Sequence, residues 1–169
     1  MYQLAVLLHL LAAIIWIGGT LFLVIVIVPL TRSGAIPRPQ AVLLLRLMGR
    51  RFRPMAWAAI GVLVVTGVYL AWDHWNVSSF TLLTGSGTFV ETLRAKVGLV
   101  GLAIVLSAVH DFVLGPRVSA LSKTGATGGP PSSALIAARR QLLMLARVNL
   151  AIIATILVVA VMLGRGWPF

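Results

Sequence analysis

Three histidines, His9, His74 and His110, are the side chains of this 169-residue sequence best suited to hold a metal ion or a haem iron. His9 shares a helical stripe with Ala12, Ala13, Trp16 and Gly19. Small residues beside an imidazole leave room for a flat macrocycle or for a close neighbouring helix. His9 therefore reads either as an axial haem or copper ligand or as a histidine hydrogen-bonded across a helix interface. His110 is followed by Asp111, whose carboxylate could orient a ligating imidazole, although adjacent helical residues point about 100° apart. The alternative pairs Asp111 with a loop arginine and lets His110 reach the interface. His74 lies in Trp72-Asp73-His74-Trp75 and could join His9 in an outer metal site, with Asp73 or Glu91 nearby, or stand exposed in a loop.

Lys96, Val100, Ala103, Ser107 and His110 fall on one helix face at spacings of 4, 3, 4 and 3. Lys96 and His110 are thus at opposite ends of that face, about 21 Å apart along the axis, too far for one metal site. Lys96 could meet a propionate or an anionic substrate, or extend its ammonium to the membrane end. The methionines, Met1, Met48, Met55, Met144 and Met162, have no copper-motif spacing. There is no cysteine, which excludes disulfides, iron–sulfur clusters, thiolate metal sites and covalent haem attachment, so a haem would be of the b type. No phosphate loop, zinc-protease motif or nucleophile elbow occurs. With Asp73, Glu91 and Asp111 as the only acids, carboxylate acid–base catalysis is improbable. Gly18-Gly19 and Thr66-Gly67 read as close-packing points.

The elements that position these residues are set by composition. Sixty per cent of the residues are hydrophobic and 10% charged, against roughly 25% charged in soluble domains. Four apolar runs follow, at 4–30, 54–72, 92–114 and 148–164, each near the ~20 residues a transmembrane helix needs, and the expected helices are about 4–30, 54–72, 92–114 and 134–164. The fold expected is all-α: an integral membrane antiparallel four-helix bundle forming one domain over 1–169. The first run is too long, and its start lacks the positive charge, for a secretory signal.

The net charge is +11. Its basic residues sit beside apolar runs, which points to anionic lipid headgroups and not to nucleic acid. Arg32, Arg38, Arg46, Arg50, Arg51 and Arg53 follow the first run, and Arg117, Lys123, Arg139, Arg140 and Arg147 follow the third. Only Arg94, Lys96 and Arg165 fall at the other side. The positive-inside rule places both arginine-rich loops in the cytoplasm of a bacterial inner membrane and both termini outside. Trp72, Trp75 and Trp167 then lie at the outer interface. Arg46, Arg50 and Arg53 share one face of a short interfacial helix, with Pro54 opening the second span. Residues 119–131 read as a flexible loop, and Ser133 as the cap of a long last helix.

The segment His9-Leu10-Leu11-Ala12-Ala13-Ile14-Ile15-Trp16-Ile17-Gly18-Gly19-Thr20-Leu21-Phe22, with Pro29 after it, resembles the opening of CopD-type copper-resistance membrane proteins. It is also similar to the first helix of HemJ-type protoporphyrinogen oxidases. The likeness continues through Arg50-Arg51-Phe52-Arg53, Thr66-Gly67, Lys96, His110-Asp111-Phe112 and Gly115-Pro116-Arg117. The first resemblance implies copper passage or handling. The second implies haem b, with roles for His9 and Lys96. The chain departs from these relatives in having four helices where larger CopD proteins have more.

These observations lead to the expectation of a small membrane b-type haem protein, with copper as a second cofactor, serving electron transfer or membrane redox chemistry as an oxidoreductase. His9, assisted by His74 or Lys96, would form an outer site. His110 would centre an inner one, with Arg46, Arg50, Arg53 or Arg147 on the propionates. The donor or acceptor would be a redox partner or quinone, and a homo-oligomer is compatible with so little buried surface. The rival expectation is a CopD-like copper transport or resistance protein without haem.

Overall fold

The structure, a computed structural model, describes residues 1–124 and 132–165. Among these residues it is all helix and turn, with no strand. Four helices are long and apolar enough to cross a membrane: α1 (Tyr2–Arg32), α2 (Arg38–His74), α4 (Thr88–Lys123) and α5 (Ser133–Gly164). A short α3 (Ser79–Thr84) stands between the second and third. The chain divides into two compact units, Met1–Thr81 and Leu82–Phe169.

In the first unit α1 and α2 run antiparallel. Three contacts fix their register: Tyr2 against His74, His9 against Thr66, and Gly19 against Phe52. Lipid offers no hydrophobic drive between apolar helices, so close approach through small residues must supply the attraction. Ala12, Ala56 and Ala59 are buried at this interface-forming level of the two helices, with Trp16 and Ile60 beside them. Gly19 is the tightest point. A Cβ there would overlap the ring of Phe52.

α2 departs from expectation at its start. The arginine-bearing segment and the second span are one continuous helix, with Pro54 inside it. Proline removes one hydrogen bond, here to the Arg50 carbonyl. That loss falls at an exposed stretch, where water or headgroups can replace it, so the helix continues. At 1.5 Å per residue α2 is about 55 Å long, so its first turns extend beyond a ~30 Å hydrocarbon layer.

In the second unit α4 and α5 pack through Ala103, Leu93, Ile153 and Ile156, all buried. Residues 119–124, expected as loop, continue the helix; residues 125–131, like Trp167, lie outside the described residues. The cap of α5 is Ser132 and not Ser133: its Oγ accepts the Leu135 N–H at 3.2 Å. At the start of α4, Glu91 reaches back to the Gly87 N–H (3.4 Å), and Arg94 ties down the preceding turn through the Leu82 and Gly85 carbonyls, both at 2.7 Å. Glu91 and Arg94 are thereby occupied in holding local backbone.

Candidate functional site

His9 faces α2. Its Nδ1 lies 2.8 Å from Thr66 Oγ1. Thr66 is buried and its hydroxyl lies 2.6 Å from the Val62 carbonyl oxygen, four residues back. A hydroxyl has one hydrogen. Given to Val62, it leaves Oγ1 as an acceptor, so His9 Nδ1 carries a hydrogen. In the neutral form of such a ring the lone pair is on Nε2. This is the arrangement by which a second-sphere hydrogen bond fixes the tautomer of a ligating histidine.

The next residue, Gly67, completes the seat. A Cβ at Gly67 would stand 3.4 Å from His9 Cε1. The small residues therefore serve close packing of the imidazole edge on α2, and on that edge there is no cleft for a macrocycle. The sequence pointed to His9 and, separately, to Thr66-Gly67 as a packing point. It did not join them. The available signal was a lone threonine in the second apolar run beside a glycine.

His74 is in the last turn of α2, not in a loop, and stacks on Tyr2 with ring centroids 3.9 Å apart and planes 24° from parallel. Tyr2 precedes His9 by seven residues, so the two histidines are separated by about 10 Å along the helix pair. They do not share a metal site. Among the described residues no group of three or more His, Cys, Asp or Glu side chains is assembled anywhere.

In the second unit His110 Nδ1 and Asp111 Oδ1 are 3.0 Å apart, so the adjacent pair does meet, half-exposed, within a widened turn of α4. The face carrying Lys96, Ala103, Ser107 and His110 includes the contact with α5: Asn149 Nδ2 donates to Ser107 Oγ at 3.0 Å, and Ala103 is fully buried. Asn149 Oδ1 is buried with no hydrogen-bond partner. Asn149 escaped the sequence reading, although it is the one carboxamide within residues 148–164. Lys96 is half-buried.

The arginines named for haem propionates are exposed. Arg147 is exposed on α5, two residues from Asn149. Among the described residues no arrangement supports the expected haem b or, with it, electron transfer. What the geometry offers is an imidazole with a fixed tautomer in a cysteine-free chain, a nitrogen donor of the kind that suits copper or zinc.

Comparison with known proteins agrees with the copper alternative. The family model described as CopD, copper resistance protein D, matches residues 46–163, which is more than half of the chain. The match takes in His74, Lys96 and His110 and begins after α1, so His9 stands outside it. No curated protein and no solved structure matches. The chain belongs to the copper resistance protein D family.

Proposed function

From that membership as premise, we propose that the protein handles divalent copper within the membrane, as a transport or resistance component, with His9 Nε2 as the ion's ligand inside the α1–α2 pair. The observation that carries this reading is the Thr66–His9 hydrogen bond, which holds the ring through Nδ1. The oxidation state follows from donor chemistry. Soft thiolate and thioether ligands select copper(I), whereas nitrogen and oxygen donors suit copper(II). The chain has no cysteine and no methionine motif. One imidazole is a single ligand, so the ion keeps water or exchanges readily, as a passing cargo requires and a structural metal does not.

The arginine distribution supports an inner-membrane placement with the α1–α2 and α4–α5 connections on the cytoplasmic side, facing anionic lipid. The test is copper(II) flux into proteoliposomes, read with an internal fluorescent chelator. His9→Ala should abolish protein-dependent flux, and Thr66→Val should weaken apparent affinity by about tenfold, the low end for loss of a second-sphere partner. Flux unaltered by His9→Ala would overturn the assignment.

A further inference from the structure

α1 and α2 place the membrane boundary at different levels. α1 has no charged side chain before Arg32, and its apolar run from Leu4 to Leu30 is about 40 Å long. α2 is uncharged only from Pro54 to Trp72, about 28 Å, close to one hydrocarbon thickness. The two helices are antiparallel and locked where Gly19 receives Phe52, so the residues after Gly19 run beside those before Phe52. Counted from that contact, Arg50 is level with Leu21 and Arg46 with Ile25. A tilt that sank α1 into hydrocarbon as far as Leu30 would draw these arginines in with it, at high cost. Without that tilt, Phe22, Ile25 and Val26 of α1 stand at headgroup depth, and all three are exposed, Ile25 by 64%. The arginine end of the pair thus presents apolar and cationic side chains at one depth. Arg46, Arg50 and Arg53 line one helix face over about 10 Å, while Arg51 is turned about 100° from Arg50. No acid precedes Asp73 in the sequence. Arg46, Arg50 and Arg51 have no hydrogen-bond or ion-pair partner among the described residues.

We propose that this surface is a binding site for a diphosphatidyl lipid, with the two phosphates on the Arg46–Arg50–Arg53 ridge and acyl chains along the surplus apolar turns of α1. Charge complementarity selects the anion, since the segment holds cations with no acid to answer them. The apolar residues at the same depth select a lipid over a free phosphate: chains that cover Phe22, Ile25 and Val26 extend the hydrocarbon layer locally, and the phosphates above them meet the arginines. The count of phosphates follows from hydrogen bonding. A phosphodiester has two free oxygens, which one guanidinium fills in the bidentate mode. A ridge of three guanidinium groups therefore has more donors than one phosphodiester can accept, and suits two. The proposal needs neither the copper reading nor an assignment of the side on which the arginines lie.

The experiment titrates three probes into the full chain in a neutral detergent and reads bound lipid by native mass spectrometry. The probes are diphosphatidylglycerol, phosphatidylglycerol with the same acyl chains, and the water-soluble deacylated headgroup of the first. Wild type should bind diphosphatidylglycerol at least about tenfold more tightly than either of the others. Arg50→Gln should weaken that binding by about tenfold, as expected for loss of a charged hydrogen-bonding partner. Arg51→Gln removes the same charge from the adjacent residue, off the ridge, and should stay within about twofold of wild type. Both side chains are exposed, so neither change disturbs packing. Binding indifferent to Arg50→Gln, or weakened equally by Arg51→Gln, would overturn the ridge as a site and leave only a diffuse charge effect. A deacylated headgroup that binds as tightly as the lipid would overturn the lipid assignment in favour of a free phosphate compound, and equal affinity for phosphatidylglycerol would overturn the requirement for two phosphates.

Discussion

The two helix pairs solve the same packing problem with different chemistry. α1 and α2 meet through a histidine, a hydroxyl and a glycine that receives an aromatic ring, and 22% and 28% of their apolar spans are buried. α4 and α5 meet through Ala103, Ile153 and one carboxamide–hydroxyl bond, and only 6% and 11% of their spans are buried. In the first pair the polar atoms are matched: Val62 takes the threonine hydrogen, and the threonine takes the imidazole hydrogen. In the second, Asn149 leaves an acceptor over. A matched polar chain fixes one tautomer and one ring position, which a ligand needs. A single bond with an unmatched atom joins helices without defining a site. The difference is the reason for proposing the first pair as the copper-binding one, and it leaves the second with more apolar surface for lipid or another protein.

The largest effect should separate the two half-buried histidines. His9→Ala should reduce copper(II) flux by more than about a hundredfold, whereas His110→Ala should leave it within about twofold, since only loss of a site's direct ligand removes the whole binding contribution. The reverse order, measured in the same vesicles, would invert the comparison. Next in size is the glycine contrast. Gly19→Ala forces a methyl group into the Phe52 ring and should destabilise the protein by about 1–3 kcal/mol, read as a lowered midpoint in detergent unfolding. Gly101→Ala, with open space around it, should be neutral or slightly stabilising, by up to about 1 kcal/mol from helix propensity. Phe52→Leu in the Gly19→Ala background should recover much of the loss. The smallest effect concerns Asn149. An interhelical hydrogen bond in a membrane contributes about 0.6 kcal/mol, and removing it here also removes a buried unmatched oxygen. Asn149→Leu should therefore unfold within about 0.5 kcal/mol of wild type, and a loss of several times that size would show the carboxamide to be more than a helix joint.

The all-α architecture and the four spans were legible because apolar run length alone decides them. Boundaries were less so. Pro54 marked a helix start in the sequence but lies mid-helix, because a missing hydrogen bond costs little where water or headgroups can replace it. Ser133 and Ser132 are equally good caps by type, and only backbone geometry selects Ser132. His9 stood out as an ionisable group in an apolar helix, yet its partner did not, since the pairing of Thr66 with a residue 57 positions away depends on helix register. The haem expectation found no support for a related reason. Small residues around a histidine signal close approach, and the sequence does not say whether a cofactor or Gly67 makes that approach. Asp73 was visible as a candidate ligand for a shared site with His9, but it lies about 10 Å away along the helix.

The most direct test of the account is pulsed electron paramagnetic resonance on the full chain loaded with one equivalent of copper(II), reading the modulation from the remote nitrogen of a coordinated imidazole. In wild type the modulation should be that of one imidazole. It should vanish in His9→Ala and persist in His74→Ala and His110→Ala. Modulation that survives His9→Ala and disappears in either of the other two would contradict the assignment of copper to the α1–α2 pair at His9.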